Sequence, residues 1–287
     1  MDRQIIVIVT DKRQEKLVDL LSKDAKSYVW EEKIEENNIC EKIYVLPTPT
    51  SKIDNNKAIK EKLKEELINM RQNPWSRVKV FGGAFGTEWK LFFEEYQIPY
   101  WDFMSLPEVV EGNGLITAEA TVAEVLTQSE YSISGQKILV TGYGCCGEKI
   151  AKLFSKLGAQ VMVAARRKEV RQRIREDGFL AIDFSEMECF LCEMDTVINT
   201  VPAMVITESC IKKMSQNACI VDIASAPGGT DFDAAKKYGI TAKLALGLPG
   251  IYTTRSSATL LKNAILKYAP LQNEIREDKS WIFQIII

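Results

Sequence analysis

Gly142, Gly144 and Gly147 stand in the stretch "KILVTGYGCCGEKIAKLFSKLGAQVMVAARR", at the spacing of a turn that cradles a pyrophosphate. The chemistry asked of them is geometric. Gly142 permits a tight turn, Gly144 lets the backbone approach phosphate oxygens, and Gly147 lets the following helix lie close to the preceding strand. The phosphates then sit at the helix N-terminus. The motif alone is a weak signal, but here a strand leads directly into it, a helix follows to about Gly158, and a second strand comes next. A dinucleotide is expected at this turn, with Cys145 and Cys146 in its free positions.

The end of the second strand selects the nucleotide. An acidic residue about 20 positions after the first glycine would accept hydrogen bonds from a ribose 2'-hydroxyl and repel a 2'-phosphate. This chain has Ala164, Ala165, Arg166 and Arg167 there. A small residue leaves room and two guanidiniums offer bidentate phosphate contacts, so NADP is expected ahead of NAD. The alternative is that these arginines only begin the solvated helix "RRKEVRQRIRED". Two further strand ends suit the same crevice: "DTVINTVP", with Thr200, Val201 and Pro202, and "IVDIASAPGGTDF", with Ala224 and Ser225. Glycine and proline would also appear there in plain connecting loops.

Other reactive side chains are few. The chain has no histidine, which removes the commonest general base and the commonest metal ligand together. Cys189 and Cys192 form C-x-x-C without a second pair, so no metal is expected and the pair is read as core packing on an amphipathic helix. Cys145 and Cys146 sit where a helix N-terminus lowers a thiol pKa. Glu119 is read near the start of a helix facing an interdomain cleft, where a favourable helix-end charge would equally explain it.

Apolar runs alternate with charged amphipathic segments along the whole chain, the pattern of parallel βαβ units. Strands are expected at Gln4–Val9, Ile43–Leu46, Val78–Phe81 and Ile98–Trp101, with helices at Lys12–Asp24, Asn55–Arg71 and Thr87–Tyr96. A loop with Gly112 and Gly114 then leads to a helix from Thr117. Further strands follow at Ile138–Thr141, Val161–Ala165, Thr196–Thr200, Cys219–Ala224 and Ala242–Ala245, and a helix at Arg255–Tyr268 is expected to return toward the first domain. The fold class is α/β, with two doubly wound Rossmann-like domains and a mainly parallel sheet in each. Residues 1–115 form the first domain, 116–270 the nucleotide-binding domain and 271–287 a tail, whose "WIFQIII" suggests an added strand or a partner contact.

The length of 287 residues accommodates two domains, and a net charge of -2 gives no reason to expect nucleic acid. The apolar run Ile5–Val9 is too short for a leader or a span, so a cytoplasmic protein without membrane contact is expected. Seven scattered cysteines are an odd number and read as mostly reduced and buried thiols.

The segments "ITAEATVAEVL", "VINTVPAMVI", "VDIASAPGGTDFDAAKKYGITAKLALGLPGIYT" and the glycine turn together resemble the A subunits of bacterial dipicolinate synthases, from about Thr117 to Leu266. The resemblance implies NADP-dependent oxidation of a dihydrodipicolinate-type precursor to pyridine-2,6-dicarboxylate in sporulation. It also implies an oligomer working with a flavoprotein-like B subunit. Such A subunits carry a glycine-rich turn after the first strand, where this chain has "VTDKRQ" with Asp11 and Arg13 retained, and a lysine after "GLPG", where it has Arg255. A small dicarboxylate substrate needs two anion grips: Arg255 with Ser256 and Ser257 is chosen for one end, and Thr117 for the other.

Forming an aromatic ring supplies its own driving force, so a histidine-free protein suits this oxidation better than 2-hydroxyacid dehydrogenation. Two alternatives stay open: another NADP-linked oxidoreductase acting on an amino or imino acid, or a non-catalytic nucleotide-binding regulatory subunit, which the altered turn from Thr10 to Gln14 would suit.

Overall fold

Short strands that are apolar on both faces pair in parallel, and the helices that connect them cover those faces. The computed structural model describes residues 3–23, 26–30, 41–74 and 76–270. The chain divides into two units, Met1–Gly112 with Thr254–Ile287, and Asn113–Thr253.

The first unit contains β1 (Arg3–Val7), α1 (Lys12–Leu21), β2 (Lys26–Val29), β3 (Glu41–Val45), α2 (Ser51–Asp54), α3 (Lys57–Gln72), β4 (Arg77–Gly82), α4 (Thr87–Glu95) and β5 (Tyr100–Asp102). Its five described strands run parallel in the order β2-β1-β3-β4-β5. The order reverses between β1 and β3, which opens a crevice at their carboxyl ends.

Helix α5 (Pro107–Gln128) begins in the first unit and continues in the second. The second unit then runs through β6 (Lys137–Thr141), α6 (Cys145–Lys156), β7 (Gln160–Ala164), α7 (Lys168–Glu176), β8 (Leu180–Ile182), β9 (Thr196–Asn199), α8 (Glu208–Ile211), β10 (Cys219–Asp222), α9 (Phe232–Tyr238), β11 (Thr241–Leu244) and α10 (Leu248–Ile251). Its six parallel strands take the order β11-β10-β9-β6-β7-β8, so the chain doubles back between β6 and β9. Ile138 and Val140 of β6 enter one core and Leu139 the other, all three fully buried. That two-sided burial is why "KILVT" reads as a continuous apolar run. Both sheets are those of the expected α/β fold class.

Several elements differ from the expectation. Helix α5 starts ten residues before Thr117, and Gly112 and Gly114 lie inside it. Packing explains the glycines: a Cβ on Gly112 would stand 2.7 Å from Leu260, and one on Gly114 would stand 2.8 Å from Cys145 Sγ. Edge strands β2 and β8 are four and three residues long, too short to leave a periodic pattern. Helix α11 (Thr254–Tyr268) falls with the first unit and not with residues 116–253, because Ala258, Leu261, Ala264 and Ile265 join Ile5, Leu17 and Leu21 in one core.

The C-x-x-C segment is not an amphipathic α-helix. It forms two 3-10 turns, Phe184–Cys189 and Leu191–Glu193, in which Met187 and Leu191 are buried and both cysteines are exposed. Cys145 and Cys146 are half-buried, so only Cys210 and Cys219 among the described cysteines fit the expectation of buried thiols. Cys40 and the 271–287 tail lie outside the described residues. Among the described residues, no helix is long and apolar enough to cross a membrane, and no cluster of three or more carboxylate or thiol groups is arranged to hold a metal ion.

Candidate dinucleotide site

The glycine turn joins β6 to α6 where the strand order of the second sheet reverses. Gly142 has φ +89°, which a side chain would strain, and a Cβ there would also meet Thr200 Oγ1 at 2.6 Å. A Cβ on Gly147 would meet the Gly142 carbonyl oxygen at 2.3 Å, so α6 sits against the turn at a separation only glycine allows. Gly144 is different. It caps α6 with extended backbone (φ -82°, ψ -166°) that any residue adopts, and a Cβ on it would meet nothing within 4 Å. Open space in front of the N-terminus of a 12-residue helix fits a bound phosphate group.

Two buried polar side chains organise the neighbouring loops. Asn199, at the end of β9, accepts from Thr141 Oγ1 at 2.6 Å and from the Val201 amide at 3.0 Å, and donates to the Val201 carbonyl at 3.0 Å. Thr200 Oγ1 donates to the Thr141 carbonyl at 2.7 Å. Asp222, at the end of β10, accepts from the Ala224 amide at 3.0 Å, the Gly229 amide at 2.8 Å and Thr230 Oγ1 at 2.7 Å. Asn199 and Asp222 are fully buried. The structure thus brings Gly142, Gly147, Thr200 and Val201 together, holds Ala224 buried on Asp222, and leaves Pro202 and Ser225 exposed on their loops. A polar residue closing an apolar strand was the sequence signal for Asp222 as an organiser.

Tyr143 was not singled out by its sequence. The ring is buried, its hydroxyl donates to Asp177 at 2.6 Å, and Arg173 stacks over it while donating to its carbonyl at 2.6 Å. Burial, and then the Asp177 carboxylate, push the phenol's pKa up. An aromatic residue at a free position of the glycine turn was the available signal.

At the end of β7, Ala165 is buried while Arg166 and Arg167 are exposed, Arg167 capping α7. Arg171 donates to the Ala165 carbonyl at 2.8 Å and the Arg166 carbonyl at 2.6 Å and pairs with Asp183, which fixes the backbone that presents these two arginines.

Thr117 and Glu119 are not at a helix start but in the middle of α5. Thr117 is buried with its hydroxyl on the Asn113 carbonyl at 2.7 Å, and Glu119 is exposed. The Cys146 thiol is not lowered by the helix end: burial pushes its pKa up. Glu124, which is buried, pairs with Lys243 at 2.7 Å and accepts from Tyr252 at 2.8 Å, tying α5 to β11 and to the residue that caps α10.

In the first unit, Arg255 and Ser256 are exposed in the first turn of α11, and Ser257 is buried. The turn after β1, "VTDKRQ", contains no glycine and is built by side chains. Asp11 accepts the Arg13 and Gln14 amides, and Gln14 accepts from Thr10. Arg13 is 6% exposed and donates to the Thr48 carbonyl at 2.7 Å. Its buried Nε, like the buried Thr48 Oγ1, has no partner among the described residues. Burial lowers the Arg13 pKa, Asp11 acting against it. A buried guanidinium with an unused donor, at the carboxyl ends of β1 and β3, is suited to an anion.

Residues 113–282 match the family described as "Alanine dehydrogenase/PNT, C-terminal domain". The dipicolinate synthase A subunit of Bacillus subtilis (strain 168) is 37% identical over 155 residues, which cover 54% of this chain and 52% of that protein, so the match spans about half the relative's length. The solved dipicolinate synthase A subunit of Bacillus halodurans superposes with a TM-score of 0.74 at 23% identity, covering 94% of this chain and 98% of that one. The Bacillus subtilis structure gives 0.74 at 24% identity, covering 97% and 98%. These findings bear out the resemblance read from the sequence, and the structural likeness shows a shared fold.

Proposed function

The chain belongs to the family of the alanine dehydrogenase/PNT C-terminal domain, and from that premise we propose that it is the nicotinamide-binding subunit of a dipicolinate synthase, oxidising a dihydrodipicolinate-type substrate to pyridine-2,6-dicarboxylate with NADP. The observation that carries this reading is the glycine turn, flanked by the loops of Asn199 and Asp222, inside the segment from about Thr117 to Leu266 that resembles the A subunits of dipicolinate synthases.

When bound, the nicotinamide supplies a hydride acceptor. The chain's own residues do the rest. The N-terminus of α6 at Gly144 would hold the pyrophosphate, and Arg166 and Arg167 would take the 2'-phosphate. Thr200, Val201, Ala224 and Ser225, on the loops organised by Asn199 and Asp222, would border the nicotinamide half. Arg13 and Arg255 each grip a substrate carboxylate. Because loss of a hydride and a proton completes an aromatic ring, orientation rather than a dedicated histidine base is what the protein must provide.

A flavoprotein-like B subunit, an oligomeric assembly and a cytoplasmic setting belong to the same proposal. Dipicolinate absorbance, followed with NADP and a dihydrodipicolinate source, tests it with this chain alone and with the partner added. Product that depends on this chain and on NADP is expected. Tight NADPH binding without product in either mixture would replace the reading with that of a regulatory subunit, and turnover of an amino or imino acid instead would replace the substrate.

A further inference from the structure

Two thiols that the dinucleotide site does not use share the connection from β8 to β9. Cys189 ends the first 3-10 turn, Cys192 lies in the second, and Phe190 between them keeps helical backbone (φ -110°, ψ -18°). The Phe190 amide bonds to the Met187 carbonyl at 3.0 Å, Glu193 to Phe190 at 3.0 Å and Met194 to Leu191 at 3.3 Å. Cys189 and Cys192 thus stand three residues apart across the junction of the two turns, with Phe190 and Leu191 helical between them; a chain reversal of this kind keeps the Cα atoms of residues i and i+3 within about 7 Å, and those of a disulfide stand roughly 4.4–6.8 Å apart.

The connection is anchored from below and open above. Met187 and Leu191 are fully buried in the core, whereas Cys189 and Cys192 are both exposed. The other described thiols are half-buried or buried. This is the arrangement in which one thiol resolves what its neighbour captures.

We propose that Cys189 and Cys192 form a reversible intramolecular disulfide by exchange with a low-molecular-weight disulfide. One thiolate attacks a sulfur of glutathione disulfide and expels a glutathione thiolate, leaving a mixed disulfide. The second thiolate attacks the protein sulfur of that mixed disulfide and expels the other glutathione. Two protein thiols lose two electrons and two protons, and one glutathione disulfide becomes two glutathiones.

The experiment incubates the 287-residue chain with glutathione disulfide, quenches with acid and measures intact mass. The double variant Cys189→Ser/Cys192→Ser, with circular dichroism as a check of folding, reports the reaction of all other thiols. Relative to it, the wild type should lose the mass of two hydrogens and retain no glutathione, reversibly with dithiothreitol. Cys189→Ser and Cys192→Ser should each instead retain one glutathione. Absence of the two-hydrogen loss in the wild type, or its persistence in either single variant, overturns the proposal.

Discussion

The Gly142 carbonyl oxygen lies where a Cβ on Gly147 would come within 2.3 Å of it. Gly147→Ala must therefore push α6 away from the turn, at a cost on the order of 1–3 kcal/mol, and should lower both the melting temperature and dinucleotide affinity. Gly144→Ala has room for its methyl group, so it should melt like the wild type while binding dinucleotide less tightly. Thermal melts beside cofactor titrations separate the two; equal behaviour of the variants would show that Gly144 does not face a phosphate.

Arg166 and Arg167 stand exposed on a braced turn, with no acidic residue among Ala164–Arg167. NADP should bind more tightly than NAD, and Arg166→Ala should lose on the order of 1.5–3 kcal/mol of that preference. Titration of both cofactors against both proteins decides it, and equal wild-type affinities would remove the idea.

Asp222 accepts three hydrogen bonds while fully buried. Asn at this position turns an amide donor toward donors, so Asp222→Asn should cost about 1–3 kcal/mol and loosen the 224–230 loop. Denaturant unfolding gives the first quantity, and limited proteolysis of the loop reports the second.

Arg13 is buried with an Nε that has no partner among the described residues, and Arg255 is exposed. Arg13→Lys keeps a charge but loses the fork, and should raise the KM for the dicarboxylate more than it lowers kcat. If Arg255→Ala leaves kcat/KM within about twofold of the wild type, under ~0.5 kcal/mol, Arg255 is no carboxylate grip.

Glu41 pairs with Lys79 at 2.9 Å and with Arg3 at 2.5 Å. Burial pushes its pKa up, but the two cations outweigh burial and hold it below the ordinary 4.5. A carboxylate lowered in the folded state stabilises above its unfolded pKa, and that contribution is lost as pH falls below about 4.5 and through the folded value. Glu41→Gln should therefore be less stable at neutral pH and show a flatter loss of stability on acidification, measured by thermal melts between neutral pH and about pH 3. An unchanged acid limb would show that the pair carries no such linkage.

What could be read from the chain alone is what short-range covalent geometry encodes. The spacing of Gly142, Gly144 and Gly147 between an apolar strand and an amphipathic helix specifies the turn locally, and continuous apolar runs such as "KILVT" announce strands covered on both faces. Burial and pairing depend on partners far along the chain, and these only the tertiary structure decided. Gly112 and Gly114 look like loop residues until Leu260 and Cys145 are packed against them. Cys189 and Cys192 look like core until Met187 and Leu191 take the core positions of that segment. Arg13 becomes a candidate ligand only once Thr48, 35 residues away, accepts from its guanidinium while Nε finds no partner among the described residues.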